Sequence, residues 1–325
     1  MQSLTLERRR KSLRRFGTCR SGALLQAVAP NCEAMQLSTF FIQILNGVQF
    51  GMLLFLIASG LTLTFGIMGI INLAHGAFFM IGAYLVFQFT RHMGWPLPLA
   101  YVSAIACVVA LGAVVERSVL APLAGRDHLD QVLVTYGLIL ILDELAVVVW
   151  GKDVQPAEIP AIFQGSIQLS QNFVYPTYRL VLSLVGIACA IGLYMLVSWT
   201  RLGMVVRAGS VDRNMVRALG INVGPIFSIV FGIGAALAAI AGIMAAPILS
   251  VSPGMGDRII IIAFVVVVIG GIGSIKGAFI GALLVGLMDA FGKILFPNAS
   301  SLVIYALMAL VLVWRPEGLF GTPAR

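Results

Sequence analysis

Residues 200–223 read TRLGMVVRAGSVDRNMVRALGINV. Four arginines, Arg201, Arg207, Arg213 and Arg217, stand there against one acid, Asp212. Long apolar runs, Leu180–Trp199 and Pro225–Val251, lie on either side. A basic island between two such runs is a loop joining two membrane spans, and its arginine excess places it on the cytoplasmic side. The pieces Arg207-Ala208 and Ala218-Leu219-Gly220-Ile221 predict a short helix ended by a glycine. Ala218 and Gly220 keep one side of that helix low in profile. Such a helix suits a groove on a soluble partner, with the arginines holding register. A solvated positive loop explains the arginines alone equally well.

The rest of the chain agrees with a membrane setting. Of 325 residues, 60% are hydrophobic and only 10% charged, and the mean hydropathy is +1.01. A soluble domain of that composition would lack the polar groups to cover its surface. A helical span takes about 20 apolar residues, a length reached repeatedly here. Backbone amides in lipid must be satisfied within their own segment, so the spans are helices. A β-barrel would show short alternating segments instead. The fold class is therefore all-α, a polytopic bundle of eight to ten spans.

The net charge of +8 is unevenly placed, with six of the 21 basic residues in Arg8–Arg15. No soluble basic domain exists to bind nucleic acid. The four cysteines, Cys19, Cys32, Cys107 and Cys189, have neither metal-ligand spacing nor a disulfide framework. Residues 1–34 are basic and non-periodic and read as a disordered extension; Met35 looks like a natural start. Residues 35–325 form the transmembrane domain.

The spans read as Thr39–Phe65, Ile67–Phe89, Leu97–Val115, Val132–Trp150, Leu180–Trp199, Pro225–Val251, Ile259–Ile269, Ala278–Leu295 and Leu302–Trp314. The second is interrupted by Asn72, His75 and Gly76, and the seventh runs into Gly270-Gly271-Ile272-Gly273-Ser274. Both are expected to be broken or re-entrant, because such interruptions persist at membrane depth only inside protein or beside a water-filled cavity. With the 201–223 loop inside, the Gly151–Arg179 loop lies outside and the Arg315 tail inside. Small residues recur every four positions at Gly47 and Gly51, at Gly234, Ala238, Gly242 and Ala246, and at Gly273, Gly277 and Gly281. That spacing gives smooth helix faces for close packing.

Polar residues inside spans need a partner or a cavity. Asn72 and His75, three apart, share a face if their segment is helical; they either line a path or hold a broken helix. Asp289 and Lys293, four apart, pair on one face. No charged clamp for a zwitterion is visible, which fits a passage that leaves selectivity to a separate receptor. Neither His75 nor Ser274 has the partners of a catalytic or metal centre.

Several segments together resemble the branched-chain amino acid permease family of ATP-binding-cassette importers, the LivH type. They are Gly60-Leu61-Thr62-Leu63, Gly66 to Gly76 (GIMGIINLAHG), Gly270 to Ser274 (GGIGS), and Pro316 to Gly321 (PEGLFG), with the 201–223 loop similar to the coupling motif of importer permeases. The likeness covers residues 36–321. It implies an inner-membrane permease that moves branched-chain amino acids or related small solutes by alternating access. It implies a second related permease subunit, two cytoplasmic ATPases, an extracytoplasmic solute-binding protein and surrounding membrane lipid as partners. The coupling residues would be Arg201, Gly203, Arg207, Ala208, Asn214, Arg217, Ala218, Gly220 and Ile221. Asn72, His75, Gly76, Gly271, Gly273 and Ser274 are the candidate pathway residues. The chain has no G-x-x-x-x-G-K-[ST] phosphate loop, so it is not expected to be an enzyme or to bind a cofactor; ATP and Mg would belong to the partner ATPases. A gradient-driven transporter or channel is the alternative, although it would want a titratable residue at mid-membrane.

Overall fold

The computed structural model describes residues 21–70, 72–123, 125–170, 173–211, 213–297 and 299–321. Helix α1 runs Ser21–Met68, α2 His75–Phe87, α3 Leu97–Val115, α4 His128–Trp150 and α5 Thr177–Trp199. Two short helices follow, α6 (Arg201–Val211) and α7 (Arg213–Ala218). The chain ends with α8 (Val223–Leu249), α9 (Met255–Gly270), α10 (Ile275–Leu295) and α11 (Ser300–Trp314). A hairpin of β1 (Ser166–Ser170) and β2 (Phe173–Pro176) lies in the loop before α5. Sequence reasoning treated that loop only as polar and missed the hairpin.

Six helices among the described residues are long and apolar enough to cross a membrane. The shorter α2, α9 and α11 join them in the bundle, so the expected multi-pass all-α architecture holds. The two spans expected to be irregular are short helices. The chain leaves α1 at Met68, turns at Gly69 with φ +66°, and re-enters helix at His75. Asn72 thus lies in the turn and not on a shared helix face with His75; the His75 N–H donates to the Asn72 carbonyl at 3.4 Å. Helix α1 is continuous from Ser21, so residues 21–34 of the expected disordered extension are helical. Residues 1–20 lie outside the described residues.

Small residues explain why these helices approach so closely. Lipid tails are as apolar as leucine, so helices in a bilayer gain little from hydrophobic burial and associate by dense contact. In α1 and α10, a Cβ on Gly51 would lie 2.8 Å from the Ala282 carbonyl oxygen, and one on Gly47 2.9 Å from the Leu287 Cα. In α8, Gly242 sits directly on the backbone of Phe79 in α2. Gly281 meets the Val266 carbonyl of α9 at 2.8 Å in the same sense. The expected small-residue faces of α1 and α8 are therefore packing faces, and so are Gly277 and Gly281 of α10; Gly273, expected on the same face, lies instead in the turn before α10 at φ +81°. Leu54, Leu56, Phe78, Phe79 and Phe231 fill the core between them.

Polar links cluster at the end of the bundle opposite the 200–223 turn. Arg179 donates to Asn46 Oδ1 at 2.6 Å and the Tyr175 hydroxyl to the same oxygen at 3.2 Å. Burial pushes the Tyr175 phenol above its ordinary pKa, against the opposing pull of Arg179, so it remains a donor at neutral pH. Gln155 and Val251 exchange backbone hydrogen bonds of 2.7 and 2.9 Å, fastening the α4–β1 loop to the α8–α9 turn. The expected Lys293–Asp289 pair closes at 2.5 Å.

Candidate functional site: a basic helical turn and the motifs around it

The 200–223 segment folds as a helical turn between α5 and α8. Thr200 starts α6, its Oγ1 accepting from the Gly203 N–H at 3.1 Å. That satisfies one of the free donors of a helix N-terminus. Gly203 rests on the Val197 backbone, where a side chain would collide, and Arg207 donates to the Val197 carbonyl. These contacts fold α6 back against the end of α5. Val206 and Val216 anchor the turn inward, at 6% and 3% exposure.

Helix α7 ends on a glycine, as its sequence predicts. Gly220 has φ +80°, and the Ile221 N–H reaches back to the Val216 carbonyl at 3.4 Å. That six-to-one bond across a left-handed residue is a Schellman closure. Asn222 then opens α8, its Oδ1 accepting from the Gly224 N–H at 3.2 Å. The glycine has open space around it, so it is there for its backbone conformation and not for close packing.

The outward side of the turn carries more than arginines. Arg201, Arg207, Ala208, Ala218 and Gly220 are exposed. Among them stand Met204, Met215, Leu219 and Ile221, 36–72% exposed. Sequence reasoning picked out Ile221 but passed over Met204, Met215 and Leu219, whose apolar character at a helical spacing was the available signal. Asn214 and Arg217 belong to α7, although their side chains and Asp212 lie outside the described residues.

The remaining candidates fall into two places. Asn72, His75 and Gly76 are buried in the centre of the bundle, Asn72 at 1% and His75 at 0% exposure. The imidazole lies over two glycines: a Cβ on Gly60 would be 2.6 Å from His75 Nε2, and one on Gly234 3.4 Å from Cε1. Gly76 faces α9, with a Cβ there 2.6 Å from the Gly256 carbonyl oxygen. Among the described residues, both side-chain polar atoms of Asn72 and both ring nitrogens of His75 lack a hydrogen-bond partner. An unpaired buried polar group costs about 1–3 kcal/mol, so the break between α1 and α2 holds costly, unsatisfied polarity.

Gly271, Gly273 and Ser274 form the turn between α9 and α10. Gly271 and Gly273 have φ of +97° and +81°. The Ser274 Oγ accepts from the Gly277 N–H at 3.1 Å and caps α10. The carboxy-terminal Pro316–Gly321 stretch docks on this turn. Its Leu319 and Phe320 N–H groups donate to the Ile269 and Gly270 carbonyls at 2.8 and 3.0 Å, satisfying the open end of α9. Gly273 and Ser274 also border a cavity of about 310 Å³ with Thr62, Gly66, Arg207 and Lys276. The basic turn and the GGIGS turn thus share one end of the bundle and one cavity, whereas Asn72, His75 and Gly76 lie apart from it.

One acidic cluster escaped the sequence. Asp143 of α4 meets Asp257 in the first turn of α9, with Tyr84 of α2 within electrostatic reach. Asp257 precedes the apolar core of its span by only two residues, which hid it. Among the described residues no three acidic, histidine or cysteine side chains are grouped to hold a metal ion.

Comparison with known proteins adds the family context. A family model described as "Branched-chain amino acid transport system / permease component" matches residues 43–312. The chain is 36% identical over 295 residues to the high-affinity branched-chain amino acid transport system permease protein BraD of Pseudomonas aeruginosa, covering 86% of this chain and 95% of that one. It is 33% identical over 298 residues to the corresponding protein LivH of Escherichia coli, covering 87% and 96%. It is also 28% identical over 296 residues to the Escherichia coli permease protein LivM, covering 82% and 68%.

Proposed function

Because this chain belongs to the family of branched-chain amino acid transport system permease components, we propose that it passes branched-chain amino acids, or closely related small solutes, across the bacterial inner membrane by alternating access driven by separate ATPases. The exposed face of α6 and α7 supports that reading most directly. Met204, Met215, Leu219 and Ile221 stand outward on a helical turn fixed to α5 and α8. Apolar anchors beside the exposed Arg201 and Arg207, on a turn that arginine excess directs to the cytoplasm, suit a groove on a soluble partner. A push on this turn would reach α5 and α8 without a flexible linker between. The partner is proposed to be a cytoplasmic ATPase, since the chain lacks a phosphate loop of its own. ATP and Mg would be bound there, with the proposed coupling set Arg201, Gly203, Arg207, Ala208, Asn214, Arg217, Ala218, Gly220 and Ile221 carrying the motion upward.

A second permease subunit is proposed as the membrane partner, on the strength of the LivM likeness, and a solute-binding protein as the source of substrate. In this scheme the polar break at Asn72, His75 and Gly76 opens toward the path in the alternate state, where its unpaired groups would meet water or solute. Gly271, Gly273 and Ser274 are proposed to keep the α9–α10 turn and the docked tail in step with the coupling turn. The gradient-driven alternative gains no support from the family.

Replacing Leu219 and Met215 together by aspartate tests the docking claim. The variant is expected to insert in the membrane at normal level but to lose the ATPases on purification, along with ATP-dependent uptake. Retention of both ATPases and uptake in that variant would overturn it.

A further inference from the structure

The cavity beside the basic turn adjoins a second, apolar one, and the pair has the form of a site for a two-part ligand. The first cavity, about 310 Å³, is bordered by Arg207 and Lys276. The second, about 390 Å³, runs between α5 and α10 along Ile187, Ala190, Ile191, Phe279 and Ile280. Tyr194, Ile275 and Lys276 border both, so the two adjoin. Neither is bordered by an acidic residue among the described residues. We propose that this combined site holds one anionic phospholipid, its phosphate in the first cavity and an acyl chain in the second.

Four observations select that occupant. The charge is one-sided: Lys276 Nζ lies over the Tyr194 ring at 5.9 Å, at the junction of the two cavities, and Arg207 borders the polar side. Basic pockets between spans near the cytoplasmic face are the places where lipid phosphates are held. The polar cavity also contains the start of α10, a helix of 21 residues, whose amino end favours an anion. Independently, Thr62 of α1 borders that cavity at 1% exposure with a hydroxyl that has no hydrogen-bond partner among the described residues; a phosphate oxygen would accept its hydrogen bond. Finally, the apolar cavity follows helices that cross the membrane, so an acyl chain in it remains parallel to its neighbours in the bilayer. A free anion would leave that groove without an occupant.

Placement in the inner leaflet rests on the cytoplasmic assignment of the α6–α7 turn. Binding at this position would link lipid charge to the coupling turn through Arg207.

The test uses the assembled transporter in nanodiscs of phosphatidylethanolamine and phosphatidylglycerol in equal parts, with bound lipid read by native mass spectrometry. Retained phosphatidylglycerol is expected to fall about fivefold in Lys276→Ala, the loss of one interfacial charge, and further in Lys276→Glu. Lys276→Arg is expected to keep it. Ala190→Trp, which fills the groove without changing charge, is expected to release it too. The ATPases are expected to co-purify in every variant, so a failure of docking is read separately. Equal retention in wild type, Lys276→Glu and Ala190→Trp overturns the proposal. So does displacement by inorganic phosphate together with indifference to Ala190→Trp, which identifies a free-anion site. A thiol-reactive photoprobe attached at Ala190→Cys that labels the second permease would show that protein fills the groove, and would overturn it as well.

Discussion

The glycines of the α6–α7 turn and those around His75 do opposite work. Gly220 has open space on every side and a φ of +80°; only its backbone freedom matters. Gly60, Gly234 and Gly242 are helical, and what matters is the missing side chain, because an imidazole or a backbone occupies the space. The first region faces outward with methionine, leucine and arginine. The second has no room for a methyl group. A transporter needs both kinds of region: a dense body that moves as a unit, and a projecting handle by which a motor moves it. Bistable packed elements convert small inputs into discrete rearrangements, whereas loosely packed ones would absorb them.

That contrast can be broken from either side. The largest effect belongs to Gly242→Val. Overpacking alone costs about 1–3 kcal/mol, and here the obstacle is the Phe79 backbone, which cannot rotate away. Folded protein recovered from membranes in mild detergent is expected to fall below detection; normal recovery would show that α2 and α8 are less tightly joined. Gly60→Ala comes next. Its methyl group would meet His75 Nε2 at 2.6 Å, so thermal stability is expected to drop. The double variant Gly60→Ala with His75→Ala is expected to regain part of the loss, since the imidazole is removed while the Gly234 carbonyl oxygen, 2.9 Å from the new methyl group, remains. Additive losses in that cycle would argue that something else fills the space.

Gly220→Ala is expected to act on the handle alone. Holding a non-glycine residue in the left-handed region costs about 1–2 kcal/mol, enough to fray the end of α7. Membrane level and melting temperature should stay near wild type while uptake per ATP hydrolysed falls severalfold; an unchanged ratio would show that the closure of α7 is dispensable. The smallest effect belongs to Lys293→Met. Its pair with Asp289 is half exposed, Lys293 at 62% and Asp289 at 12% side-chain exposure, so about 1 kcal/mol or less is expected from its loss. A larger drop in melting temperature would mean that Asp289 is more dependent on that charge than its position suggests.

Much of this architecture was legible because membrane folding is governed by a few strong rules. Trp150, Trp199, Leu295 and Trp314 end helices where the apolar runs end. The two interrupted spans were visible as irregular because Asn72, His75 and the GGIGS run are costly in lipid. The glycine stop of α7 followed from local chemistry. What stayed hidden depended on tertiary arrangement. Periodicity does not report that the tail at Leu319 and Phe320 closes the end of α9. Nor does it show that Asp143 meets Asp257 across two helices. Most instructive is Leu219: its apolar type four residues after Met215 hints at a shared face, but only its 72% exposure shows that this face points outward.

Cross-linking from Leu219→Cys in the assembled transporter tests the central claim most directly. A thiol-reactive photoprobe attached there is expected to label a cytoplasmic ATPase subunit, in a yield that changes between the ATP-bound and nucleotide-free states. A transport-competent complex in which that probe labels only the solute-binding protein, or no subunit at all, would contradict the account.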